Sequence, residues 1–183
     1  INEFNNLDAI IITSPNETHY KYIKKFLKLK KYIFCEKPPA INSYQLNNLM
    51  ELKIINKKLI YFNFNYVKSK LYKCLKNEFS KKSNGKLINI FISASHGLSF
   101  TSKFNKSWRS KNTNQFNLIS GNLGIHYIHL LLSLLGKIRK VNIAKSSIAK
   151  FNSIDTSNIF LLFDKDITAN VFLSYASVYS KKI

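Results

Sequence analysis

Residues Leu7 to Thr13 (LDAIIIT) form a short, unbroken apolar run. Such a run predicts a strand buried on both faces of a parallel sheet. Ser14-Pro15-Asn16 interrupts it, and Asn16 is expected to cap the helix that follows. From Glu17 to about Leu29, the residues Tyr20, Ile23, Phe26 and Leu27 share one helical face, and Lys21, Lys24, Lys25 and Lys28 share the other. A second apolar strand, Tyr32 to Cys35, runs into Glu36-Lys37-Pro38-Pro39. Asn42 and Gln45 have the spacing of a capping box for a helix reaching about Asn56, and Leu59 to Phe64 reads as a third strand. Strand, helix, strand, helix, strand is a pair of βαβ units, which predicts a parallel sheet with right-handed crossovers.

The texture changes beyond Asn65. A helix is expected from about Lys68 to Phe79, then a strand from Leu87 to Ser95. An irregular polar stretch follows from Gly97 to Phe116. A helix from about Asn122 to Leu135 stops at Gly136, a residue suited to closing a helix. Strand patterns recur near Lys140 to Ala149, Asn158 to Phe163 and Thr168 to Tyr179, so this half reads as α+β with a sheet covered on one side.

Of the 183 residues, 45% are hydrophobic and 21% charged, the profile of a globular domain. The formal net charge of +20 first suggests a nucleic-acid partner. Almost all of the basic residues are lysines spread along the chain, however, and Arg109 and Arg139 are the only arginines. Base readers depend on the bidentate arginine fork, so nucleic acid is not expected as a partner. Cys35 and Cys74 cannot make a disulfide framework and point to a reducing, cytoplasmic setting. No metal-ligand spacing is present, and the apolar stretch around Leu123 to Leu135 is too short for a membrane span. The chain starts at Ile1, which is expected of a segment of a longer protein.

Ligands of open parallel sheets bind beyond the carboxyl ends of the strands. Thr13-Ser14-Pro15-Asn16 and Glu36-Lys37-Pro38 occupy that edge. The first offers backbone N–H groups at a helix start, and the second sets a carboxylate beside an ammonium. At about 100° per residue, Asn122, His126, His129 and Ser133 share one stripe of an otherwise apolar helix. Such a stripe needs partners, and a histidine there is suited to moving a proton near neutral pH.

The run from Asp8 through Thr13-Ser14-Pro15-Asn16 to His19, then Cys35-Glu36-Lys37-Pro38, then Gly124-Ile125-His126 opening a leucine-rich helix, resembles the Gfo/Idh/MocA family. That resemblance implies NAD(P)-dependent oxidoreductases with an α/β fold. A partial Rossmann parallel sheet (residues 1–66) would be followed by part of an α+β substrate domain with a large open sheet (67–183). It implies that Thr13, Ser14, Pro15, Asn16, His19, Glu36, Lys37 and Pro38 line NAD or NADP, with the Lys37–Pro38 bond often cis in relatives. Lys37 would bridge cofactor ribose and substrate hydroxyl, and His126, assisted by Asn122, would be the general acid/base. Trp108 and Arg109, with Asn122 and His126, would meet a sugar, cyclitol or sugar-nucleotide substrate. The full-length protein would be a homo-oligomer. The glycine-rich phosphate loop and the carboxyl-terminal end of the family fold are expected outside this chain.

Three departures stand out. Asn122 occupies a position that is usually aspartate, and His129 another. Lys30 replaces the glycine expected to end the first helix, at a cost of roughly 1 kcal/mol for a left-handed non-glycine residue. Asparagine cannot take a proton, so Asn122 and His129 support an alternative reading, a catalytically impaired family member acting as a binding or scaffold protein; a basic nucleic-acid-binding module is a weaker one.

Overall fold

The computed structural model describes residues 6–55, 59–107, 110, 119–149, 153–178 and 180–182. The chain divides into two compact units, residues 1–64 and 65–183.

In the first unit, β1 (Ala9–Ile12), α1 (Asn16–Lys28), β2 (Tyr32–Cys35), α2 (Ser43–Ile55) and β3 (Ile60–Phe62) follow one another. The three strands pair in parallel in the order β1-β2-β3, with Cys35 opposite Ile12 on one side and Phe62 on the other. Both crossovers step in the same direction along the sheet. Right-handed connections therefore place α1 and α2 on one face. Ile12, Ile33 and Cys35 pack there against Ile23, Phe26, Leu27 and Leu49. The expectation of two covered faces for β1 is corrected accordingly: Ile12 is 4% exposed but its neighbour Ile11 is 71% exposed. Phe34 and Tyr61 stack on each other on that open face, with ring centroids 5.4 Å apart.

The helix ends also refine the sequence reading. Asn16 is the first residue of α1 rather than its cap; Pro15 holds the cap position, and its carbonyl accepts from Thr18 N–H at 2.9 Å. At the start of α2, Asn42 Oδ1 accepts from Gln45 N–H at 2.8 Å, while Gln45 Oε1 accepts from Ile41 N–H at 3.3 Å, one residue before the position of a standard capping box. The end of α1 is a Schellman closure. Lys30 N–H donates to the Leu27 carbonyl at 3.0 Å and Lys31 N–H to the Phe26 carbonyl at 3.2 Å. This closure holds Lys30 at φ 53°, in the left-handed region.

The second unit carries α3 (Lys70–Ser80), β4 (Asn89–Ser95), the short α4 (Ser102–Asn105), α5 (Ile125–Leu135), β5 (Ile138–Ser146), β6 (Thr156–Phe163), β7 (Thr168–Ser174) and β8 (Ser180–Lys182). These strands form a sheet in the order β5-β6-β7-β4-β8. β4 runs parallel to β7, and the remaining pairs are antiparallel. The strand expected from Thr168 to Tyr179 ends at Ser174 as β7; β8 begins beyond it at Ser180, and β7 and β8 flank β4 on opposite sides. Alternate residues Ile92, Ala94, Ile159, Leu161, Val171 and Leu173 build the core with Tyr127 and Leu131 of α5. Phe91 and Phe172 lie on the uncovered side, at 69% and 37% exposure.

The helix expected from Asn122 begins differently. A π-helical turn, Ser120–Gly124, precedes α5. Gly124 lies in this turn against the sheet, where an added Cβ would stand 2.7 Å from Leu173 Cδ1.

Lys30→Gly relieves the left-handed strain at the end of α1 and should raise stability by about 1 kcal/mol. Chemical denaturation checks this, and an unchanged midpoint would show that the Schellman closure carries no strain at that residue.

Candidate functional site

Parallel pairing brings the exits of β1, β2 and β3 to one edge of the first unit. At the β1 exit, Ser14 Oγ and Thr18 Oγ1 are 2.5 Å apart, and Thr18 Oγ1 donates to the Pro15 carbonyl at 2.7 Å. Asn16 Nδ2 is buried and has no hydrogen-bond partner among the described residues. An unspent amide donor on the first residue of a helix is chemistry suited to an oxygen-rich anionic or hydroxylated ligand.

At the β2 exit, Glu36 and Lys37 are half-buried, Pro38 is buried, and the Lys37–Pro38 peptide bond is cis. Glu36 N–H donates to the Ile12 carbonyl at 2.9 Å, which fixes this exit to the preceding strand. The Glu36 carboxylate accepts from Asn63 Nδ2 at 2.7 Å. Asn63 follows β3 and its own N–H donates to the Cys35 carbonyl at 2.9 Å. Sequence reasoning missed Asn63. The signal that could have found it is the rule already applied to Thr13 and Glu36: a polar residue directly after a parallel strand. Burial, with the Glu36 carboxylate adding to it, pushes the Cys35 thiol up to about 12, so Cys35 remains a neutral packing residue.

His19 is only 1% exposed. Its Nδ1 lies 2.8 Å from the Pro38 carbonyl oxygen and its Nε2 lies 2.8 Å from the Ser14 carbonyl oxygen. Both nitrogens therefore face the protein's own backbone.

The second unit assembles a different cluster. Asn122 is buried in the π-helical turn and donates from Nδ2 to Tyr175 Oη at 3.0 Å. Tyr175 packs edge-on to Phe104, with centroids 5.8 Å apart, and lies 4.8 Å from the His96 ring. Ser99 Oγ donates to the Tyr175 carbonyl at 2.6 Å. His126, at the start of α5, stacks on Tyr66 with centroids 5.2 Å apart. The polar stripe inferred at regular helical pitch is thus altered: the wider π turn sits at Asn122, and the Ser133 hydroxyl bonds back to the His129 carbonyl at 2.8 Å. His96, Tyr66 and Tyr175 were not singled out from sequence. Tyr175 lies just past the end of a strand and Tyr66 in a short 3-10 turn, and neither position carries a local pattern pointing to Asn122 or His126.

Trp108 and Arg109 fall outside the described residues. Among the described residues, no group of three or more His, Cys, Asp or Glu is placed to hold a metal ion, and no helix is long and apolar enough to cross a membrane.

A parallel sheet with polar strand exits and, in the same chain, a mixed sheet backed by a histidine-bearing helix define an α/β protein whose first unit is of the Rossmann type. Comparison with known proteins gives the family. Residues 2–64 match the model for the oxidoreductase family with an NAD-binding Rossmann fold, and residues 77–183 match the Gfo/Idh/MocA C-terminal domain. The chain belongs to the Gfo/Idh/MocA family. It is 23% identical over 165 residues to the uncharacterized oxidoreductase YgjR of Escherichia coli, covering 87% of this chain and 48% of that protein. It is 28% identical over 81 residues to a myo-inositol 2-dehydrogenase of Thermotoga maritima, covering 44% of this chain and 24% of that protein. Among solved structures, an inositol dehydrogenase homolog from Azotobacter vinelandii complexed with NAD+ superposes with a TM-score of 0.87 at 16% identity, over 98% of this chain and 50% of that one. An oxidoreductase from Thermotoga maritima superposes with a TM-score of 0.87 at 19% identity, over 98% of this chain and 56% of that one. The chain spans about half the length of YgjR and less of the other curated relative.

Two outcomes follow from this geometry. Tyr175→Phe keeps the ring but removes the acceptor from Asn122 Nδ2, which should cost about 1 kcal/mol in a denaturant titration of the intact protein; an unchanged midpoint would mean that this bond carries no weight. Burial holds the His129 imidazole below its ordinary value near 6.5. The unfolded chain therefore binds this proton more readily than the folded one. Stability contributed by neutral His129 is fully present above about 6.5 and declines as pH falls through its lower folded value. His129→Gln should flatten the acid side of a stability–pH curve, and an identical slope in both proteins would contradict that.

Proposed function

We propose that the protein is an NAD(P)-dependent oxidoreductase that transfers a hydride between the nicotinamide and a hydroxyl- or keto-bearing carbon of a sugar, cyclitol or sugar nucleotide. The observation that carries this reading is the polar edge of the first unit, in a chain that matches both domains of the family. There, Asn63 orients Glu36 beside Lys37, and Asn16 Nδ2 is buried with its donor unspent among the described residues. The residues suit a dinucleotide: hydroxyl and amide groups of Thr13, Ser14 and Asn16 at a helix start for phosphate or ribose oxygens, and the Glu36 carboxylate as an acceptor for ribose hydroxyls. Inositol dehydrogenases among the relatives, and an Azotobacter vinelandii homolog crystallised with NADH and myo-inositol, support a cyclitol or sugar as the substrate class.

When bound, the nicotinamide supplies a carbon that accepts or releases hydride. The chain supplies the rest. Lys37 donates from its ammonium to the reacting oxygen and stabilises the alkoxide as it develops. His126 takes the hydroxyl proton in oxidation and returns it in reduction. Stacking on Tyr66 limits the orientations open to the His126 ring. Asn122 orients rather than titrates, because a carboxamide neither gains nor loses a proton near neutral pH; its Nδ2 donates to Tyr175 Oη. Trp108 and Arg109 are assigned to the substrate, with Arg109 holding an anionic group. The reading further includes a cytoplasmic setting and a homo-oligomer built on the sheet face that exposes Phe91 and Phe172.

The asparagine at position 122 favours one second reading, a family member that binds cofactor without turnover. Incubating the intact protein with NAD and a panel of cyclitols and sugars, followed at the nicotinamide absorbance band, separates the two. Lys37→Ala should lower kcat by about 10²–10³-fold, with the protein still folded. Cofactor binding with no turnover on any substrate would favour the second reading, and full activity in the Lys37 variant would remove Lys37 from the chemistry.

A further inference from the structure

His19 presents a hydrogen-bonding problem that the proposed chemistry does not use. Each ring nitrogen stands 2.8 Å from a backbone carbonyl oxygen, Ser14 on one side and Pro38 on the other. A carbonyl oxygen only accepts, so each contact requires an N–H on the ring. A neutral imidazole has one. In that state the second nitrogen would turn a lone pair toward a carbonyl lone pair, in a pocket that leaves the residue 1% exposed. A ring protonated at both nitrogens makes both contacts as charge-assisted bonds, and the two carbonyl dipoles oppose the partial positive charge at the start of α1.

The two carbonyls belong to different exits. Ser14 lies in the β1–α1 turn, two residues before Asn16, and Pro38 follows Lys37 at the end of β2. We propose that His19 is a positioning residue for dinucleotide binding: a doubly protonated ring that ties the Ser14 and Pro38 carbonyls together and fixes both turns as one rigid edge. This proposal rests on the dinucleotide reading of that edge. It also separates His19 from Thr13, Asn16 and Glu36. His19 lies behind the edge and acts through the backbone that carries Asn16 and Lys37, rather than by touching the ligand.

The ring state is read by nitrogen-15 NMR of the histidine-labelled intact protein at neutral pH. Both His19 ring nitrogens should show protonated resonances with slowly exchanging N–H groups; one unprotonated nitrogen would overturn the proposal. The positioning role is read by NAD titration of folded variants. His19→Phe keeps the ring volume without donors and should weaken NAD binding about tenfold, the equivalent of roughly 1.4 kcal/mol. His19→Gln restores amide N–H donors and should recover part of that loss. Wild-type affinity in the Phe variant would overturn the proposal, as would equal losses in both variants, which a purely structural residue gives. Should the Phe variant fail to fold, the ring spectrum of the wild-type protein decides. Should the wild-type protein bind neither NAD nor NADP, the functional reading fails, while the spectrum still decides the state of the clamp.

Discussion

Parallel strand pairing is the constraint on which the first unit depends. Once Cys35 is opposite both Ile12 and Phe62, the residues that follow each strand must emerge at the same edge. Thr13 to Asn16, Glu36 to Pro38 and Asn63 are then neighbours whatever their separation along the chain. Backbone bonds from Glu36 to Ile12 and from Asn63 to Cys35 continue the ladder one step beyond the strands, so the polar edge inherits the rigidity of the sheet. A site built on strand exits needs little loop ordering when a ligand arrives.

The same constraint explains what is left uncovered. Two crossovers of one hand and one direction can place helices on a single face only. The face carrying Ile11, Phe34 and Tyr61 is as apolar as its opposite, yet it is open in this chain. Apolar residues on both faces of a parallel sheet are the composition of a sheet meant to lie between two layers. The apolar run in β1 thus states a requirement that the residues in hand satisfy on one side.

In the second unit, the organising feature is a buried tyrosine. Tyr175 sits just past β7, where it receives Asn122 from the π-helical turn, a ring contact from His96 and another from Phe104. Gly124 lets the helical segment approach the sheet closely, because a side chain there would meet Leu173. Close approach and a wider turn together set Asn122 against Tyr175 and leave His126 to stack on Tyr66. Asparagine fits this arrangement as a donor to the phenol oxygen, whereas a carboxylate would have to accept from it.

Local pattern made most of the architecture legible. The apolar runs at Ala9–Ile12 and Tyr32–Cys35, the amphipathic α1 and the Gly136 stop all read correctly because each depends on residues within a few positions of one another. The family motifs around Ser14, Lys37 and His126 were legible for the same reason. Contacts between distant residues were not. Asn63 meets Glu36 across 27 positions, His19 meets Pro38 across 19, and Asn122 meets Tyr175 across 53. The π-helical turn, the end of the last strand pattern at Ser174 and the one-sided first sheet also depended on packing. Which segments become strands and helices, and where polar groups leave them, is written in short stretches of the chain, since short-range sterics and periodicity govern both. Which of those polar groups meet was settled by packing, because strand order and helix docking, rather than spacing along the chain, set the distances between them.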